Sequence, residues 1–206
     1  KNRDALVVVR EDWQDEIGNG GRDGDVLEGY ARSHYWTAEI EDHFTNVRFY
    51  SGHDEVTANS GTIYTLYDDY GLIVFVDHGW QGGFADAMDS YYLCNNKIQL
   101  KPATIIDLAC LTGAYYVEVT TGGNPPFLFS AQNIRRGAMV YMGATDVSYW
   151  HTMFDDILYG IYEERKTIGQ AYLEARNEDY DEEHWNFSLT LKGDIFYALH
   201  GDPTFQ

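Results

Sequence analysis

Two segments of this chain stop at reactive side chains. Leu72-Ile73-Val74-Phe75-Val76-Asp77-His78-Gly79 and Thr104-Ile105-Ile106-Asp107-Leu108-Ala109-Cys110 are apolar runs, rich in β-branched residues, that end at a histidine and a cysteine. His78 precedes Cys110 by 32 residues (110 − 78), enough for a crossover between two parallel strands. Strands joined in that way present their C-terminal tips side by side, and that edge is where open α/β sheets place their sites. A thiol attacks as the thiolate, and an adjacent imidazole lowers its pKa or takes its proton. Gly79 lets a substrate approach the backbone closely, and its N–H, with that of Cys110, would stabilise a developing oxyanion. Taken singly, Cys110 is more often a small core residue and His78 a structural histidine. Their occurrence at two strand ends of one pattern makes a cysteine–histidine dyad the sharper expectation.

The remaining elements must hold those two tips. Leu6-Val7-Val8-Val9 and Val47-Arg48-Phe49-Tyr50 read as further strands, and Ala138-Met139-Val140-Tyr141-Met142-Gly143 as another after Cys110. Asp15 to Gly24 is loop chemistry, and Asp25 caps a helix carrying Val26, Leu27, Tyr30, Ala31 and Ala38. Ser60 caps a short helix with Ile63, Leu66, Tyr67 and Tyr70 on one face. The stretch from Trp80 to Lys101 reads as irregular, and Gly122 to Pro126 as a loop. Met153, Ile157, Leu158 and Ile161 share a helical face, and Thr167 caps a helix with Ile168, Ala171, Tyr172 and Ala175. Ile195 to Leu199 is a closing apolar segment. Strands alternating with helices imply a mainly parallel sheet covered on both faces, in one α/β domain over residues 1–206.

Composition narrows the class. The 206 residues carry 33 acidic against 14 basic side chains, a net charge of −19, which repels phosphate backbones and anionic membranes. The same charge would attract basic substrates or divalent cations, and it also serves plain solubility. No apolar run approaches the ~20 residues a membrane span needs. The chain begins at Lys1 without a signal segment, as expected of a piece excised from a longer protein. With only Cys94 and Cys110 a disulfide is arithmetically possible, but a nucleophilic Cys110 must be a thiol, leaving Cys94 as a buried thiol.

The VFVDHGW block, LKPATIIDLACLTGAYY, GAMVYMGATDVSYW, TIGQAYLEAR and the closing HGDPT, all between about residue 60 and residue 204, resemble the gingipain-type family of the caspase–legumain–gingipain clan of cysteine peptidases. The resemblance implies a caspase-like three-layer α/β sandwich and a cysteine endopeptidase that forms a thioacyl-enzyme. By position, His78 would be the general base and acid, Cys110 the nucleophile, and Gly79 and Cys110 the oxyanion donors. Trp150 matches a tryptophan lining the pocket for the residue before the scissile bond, where a ring face suits the stem and cation of Arg or Lys. Asp146, near that segment, is the best candidate for the pocket acid. Asp77 adjoins His78 but points to the opposite face of a strand, so the third catalytic member stays unassigned.

The family likeness also implies an extracellular or cell-surface protein acting on protein or peptide substrates, joined to other domains. It implies no cofactor for the chemistry. Structural calcium held by Asp12, Asp15, Asp23 or Asp25 is conceivable, although their loop does not follow an EF-hand. His34, His43, His151, His184 and His200 show no zinc spacing. Two rival readings remain: a catalytically inactive member serving as a surface, secretion or assembly module, and a carbohydrate-binding module using some of the 17 Tyr and five Trp.

Overall fold

The computed structural model describes residues 4–9, 43–51, 67, 69–76, 79–84, 90–95, 98–114, 128–146, 153–182 and 197–205. The apolar runs read as strands form them, and a further strand closes the chain. These are β1 (Asp4–Val9), β2 (Asn46–Ser51), β3 (Leu72–Val76), β6 (Thr104–Leu108), β7 (Val140–Ala144) and β8 (Tyr197–Gly201). They make a six-stranded sheet in the order β2-β1-β3-β6-β7-β8, parallel except for β8, which runs antiparallel to β7. A separate hairpin pairs β4 (Gly79–Trp80) with β5 (Gly83–Phe84). The helices are α1 (Ser90–Asn95), α2 (Phe129–Arg135), α3 (Met153–Tyr162) and α4 (Ile168–Glu182).

Because side chains alternate along a strand, the sheet feeds two cores. Ala5, Val7, Leu72, Val74, Ile106, Leu108, Val140 and Met142 pack with Phe154, Ile157 and Leu158 of α3 and Ile168, Ala171 and Ala175 of α4. Leu6, Val8, Ile73, Phe75, Ile105 and Tyr141 pack on the other face with Tyr67, Tyr70, Leu93 of α1 and Phe129 of α2. The result is the three-layer α/β sandwich. The start of α4 is fixed by a capping box: Thr167 Oγ1 accepts from the Gln170 N–H (3.3 Å), and Gln170 Oε1 accepts from the Thr167 N–H (3.1 Å).

One expectation is corrected. The segment from Trp80 to Lys101 holds the β4–β5 hairpin and α1, elements too short to carry a periodic signal. Their stability comes from tertiary contacts: the turn carbonyls of Gly82 and Gln81 accept from Ser90 N–H (2.7 Å) and Phe129 N–H (2.9 Å), at the starts of α1 and α2. Within the described residues the closing apolar segment continues as a strand over Tyr197–Gly201 paired with β7, while Ile195 and Phe196 lie outside the described residues. The helix expected after Asp25, and residues 60–66 of the helix capped by Ser60, lie outside the described residues.

Ile157 is fully buried between α3 and the sheet. Ile157→Ala is expected to cost about 2–5 kcal/mol, read as a lower urea midpoint at unchanged m-value.

Candidate active site

β3 and β6 are neighbours, paired in parallel with Val76 opposite Leu108, so the two reactive-tip strands reach the same sheet edge in register. His78 follows Val76 by two residues, as Cys110 follows Leu108. His78, Asp77 and Trp150 lie outside the described residues, as do Asp12, Asp15, Asp23 and Asp25. The link between the two tips is visible through Gly79. A Cβ built on Gly79 would lie 2.6 Å from the Cys110 carbonyl oxygen and 2.7 Å from the Ala109 Cβ. Only a glycine lets the start of the hairpin sit this close to the cysteine-bearing turn.

Cys110 opens the turn that leaves β6. It is half-buried, and neither it nor Cys94 is in a disulfide. Cys94 is also half-buried rather than buried, on α1, with its carbonyl accepting from Arg136 Nη2 at 2.9 Å. Leu111 is left-handed, with φ of 62°. A branched side chain in that region costs on the order of 1–3 kcal/mol and persists only where its surroundings hold it.

Those surroundings are specific. The Leu111 N–H donates to the Asp146 carbonyl at 3.1 Å, and the Gly113 N–H to the Ala144 carbonyl at 2.7 Å, both at the end of β7. Gly113 meets β7 so closely that a Cβ there would be 2.1 Å from the Gly143 carbonyl oxygen. The Thr112 hydroxyl closes the turn on the Ala109 carbonyl at 3.1 Å. Asp146 is thus joined to the cysteine turn through its backbone, while its side chain is exposed.

Beneath the turn lies a polar group that the strand pattern does not advertise. Asp107 is fully buried in β6, and its carboxylate accepts from the Tyr141 hydroxyl. The same hydroxyl lies 3.3 Å from the Thr112 carbonyl. The Tyr67 hydroxyl donates to Asn133 Oδ1, and Asn133 Nδ2 donates to the Phe129 carbonyl at 2.9 Å. Burial, and then the charge of Asp107, push the Tyr67 and Tyr141 hydroxyls well above their ordinary range, so both remain donors. His200, on β8, bonds the Gly113 carbonyl through Nε2 at 3.0 Å. A carbonyl only accepts, so Nε2 carries the proton.

Asp107, Tyr141 and His200 were not singled out by strand-tip reasoning. The one available signal was an acid inside an otherwise apolar strand, which requires a buried partner. Among the described residues no group of three or more His, Cys, Asp or Glu is placed to hold a metal ion.

The sequence matches the model of peptidase family C25 over residues 3–206. No curated relative matches it. Solved structures share the fold. The Arg-specific cysteine proteinase gingipain R (RgpB, of Porphyromonas gingivalis) superposes with a TM-score of 0.69 at 14% identity, covering 99% of this chain and 47% of that one. The separase of the Saccharomyces cerevisiae separase–securin complex gives 0.61 at 14% identity, over 97% of this chain and 12% of that one. Caspase-1 from Spodoptera frugiperda gives 0.52 at 12% identity, over 98% and 87%. At such identities the likeness is one of fold, and the chain spans about half the length of the gingipain R structures it matches.

Burial lowers the His200 pKa from 6.5, partly opposed by its bond to the Gly113 carbonyl. The native state therefore takes up this proton less readily than the unfolded chain. The associated stability is present above 6.5 and is lost as pH falls through the lowered native value. Unfolding midpoints measured from about pH 8 down to about pH 5 should fall more steeply for the wild type than for His200→Gln.

Proposed function

Because this chain belongs to peptidase family C25, the gingipain family of cysteine peptidases, we propose that it carries the hydrolytic centre of a cysteine endopeptidase, with Cys110 as nucleophile and His78 as proton carrier. The observation that supports this most is the approach of Gly79 to the Cys110 turn at the shared edge of β3 and β6.

His78 accepts the thiol proton as Cys110 Sγ bonds to the scissile carbonyl carbon. The carbonyl π electrons move onto oxygen, where the N–H groups of Gly79 and Cys110 stabilise the charge. One such donor is worth about 3 kcal/mol in the transition state. Collapse of the tetrahedral adduct breaks the C–N bond, and His78 delivers its proton to the leaving amine. In the thioacyl-enzyme a water gives a proton to His78 while its oxygen displaces Sγ, releasing the acid product and restoring the thiol.

In this reading, Trp150 and Asp146 belong to the pocket for the residue before the scissile bond, and a basic side chain suits both. The strongly acidic surface favours the approach of such substrates. We place the protein outside the cell or on its surface, as part of a larger chain. No helix among the described residues is long and apolar enough to cross a membrane.

Acyloxymethyl ketone probes bearing Arg, Lys or Asp, followed by adduct mapping, test the assignment. The expected result is selective labelling of Cys110 by an Arg or Lys probe, lost in His78→Ala. Peptide hydrolysis should fall on the order of 10⁴-fold or more in Cys110→Ala and His78→Ala without loss of fold. Equal labelling of Cys94 and Cys110 with no hydrolysis by the wild type would favour the inactive surface or assembly module instead, and hydrolysis surviving in Cys110→Ala would overturn the assignment of the nucleophile.

A further inference from the structure

Tyr141 and His200 stand directly opposite one another on β7 and β8, with ring centroids 6.1 Å apart. From that cross-strand pair, two side chains reach two consecutive carbonyls of the turn after Cys110. The Tyr141 hydroxyl reaches Thr112 (3.3 Å) and His200 Nε2 reaches Gly113 (3.0 Å). The Tyr141 hydroxyl has one proton, shared unequally between the Asp107 carboxylate, its close partner, and the Thr112 carbonyl. It therefore ties the body of β6 to the turn that leaves it. His200 ties the same turn to the outermost strand. The β7 tip holds the turn's N–H groups at Leu111 and Gly113, so the pair supplies the complementary grip on its carbonyls.

Resting on the peptidase reading of Cys110, we infer that Tyr141 and His200 form a positioning clamp that holds the left-handed Cys110–Leu111 turn in the geometry the reaction needs. Neither side chain touches the substrate. Both act through the backbone that aims the thiol and one oxyanion N–H. A displacement of about 1 Å in such groups costs about 10²-fold in rate, so loss of the clamp should be felt in kcat, while substrate binding elsewhere on the surface stays intact.

The test compares Tyr141→Phe, His200→Leu and His200→Gln in the whole chain, by peptide hydrolysis and by hydrogen exchange of the segment 109–114. Tyr141→Phe and His200→Leu should each lower kcat by about 10- to 100-fold with KM within about twofold. They should also raise exchange in 109–114 while β6 and β7 stay protected. His200→Gln, whose side-chain amide can donate to the same carbonyl, should recover most of the His200→Leu loss. Should Tyr141→Phe leave Asp107 too poorly paired for the chain to fold, the His200 variants alone decide the matter. Unchanged exchange in 109–114 in His200→Leu overturns the clamp, whatever the wild type hydrolyses. Raised exchange with unchanged kcat overturns its positioning role. A wild-type chain that hydrolyses no peptide overturns the peptidase reading and with it the clamp's catalytic meaning, and the exchange data then report the clamp's geometry separately.

Discussion

Asp107 lies fully buried in β6 with the Tyr141 hydroxyl bound to its carboxylate, and a carboxylate taken out of water at a cost of several kcal/mol obliges its neighbours to supply fixed donors. That obligation organises the α1/α2 face of the sheet. Burial first, and then the charge of Asp107, keep the Tyr67 and Tyr141 hydroxyls protonated. Tyr67 is in turn held by Asn133 of α2. The aromatic rings that surround these hydroxyls, Phe75 against Tyr67 and Phe129 against Tyr141, supply the packing around them. A polar anchor inside an apolar layer specifies one arrangement, because few alternative packings would satisfy it.

The opposite face has a different character. Where α3 and α4 cover the sheet, the buried cluster is built from aliphatic and aromatic side chains, so volume and shape decide the fit. The two faces thus divide the work, one supplying most of the plain hydrophobic stabilisation and the other the directional bonds that reach the Cys110 turn. Both begin from the same strands, whose alternating side chains point to one layer or the other.

Much of this could be read from the residues. The strands ending before His78 and Cys110, their parallel adjacency and the coverage of both faces follow from apolar runs of strand length separated by helical periodicity. The hairpin at Gly79–Phe84 and the short helix at Ser90–Asn95 could not be read in that way. Each depends on backbone bonds to partners distant in sequence, such as Gln81 to Phe129. The sequence suggests Gly79 as a glycine that admits a substrate; its close approach to the Cys110 carbonyl is a contact within the chain that the sequence does not announce. Tyr141 was legible only as one more strand residue, and His200 only as part of a closing motif. A side chain's reach across a sheet has no periodic trace in the sequence.

The bond from His200 to the Gly113 carbonyl joins residues 87 apart along the chain. Contacts of such separation require a large loop to close, so their entropic cost comes before their reward, and chains rich in them fold slowly. Strands β3 and β6 pair over a much shorter separation, with Val76 opposite Leu108, 32 residues later (108 − 76). The turn after Cys110 is thus held by contacts of very different span, from the Thr112 hydroxyl on the Ala109 carbonyl three residues away to the antiparallel edge strand. The far end of the chain therefore belongs to the turn's support although it is remote from it in sequence.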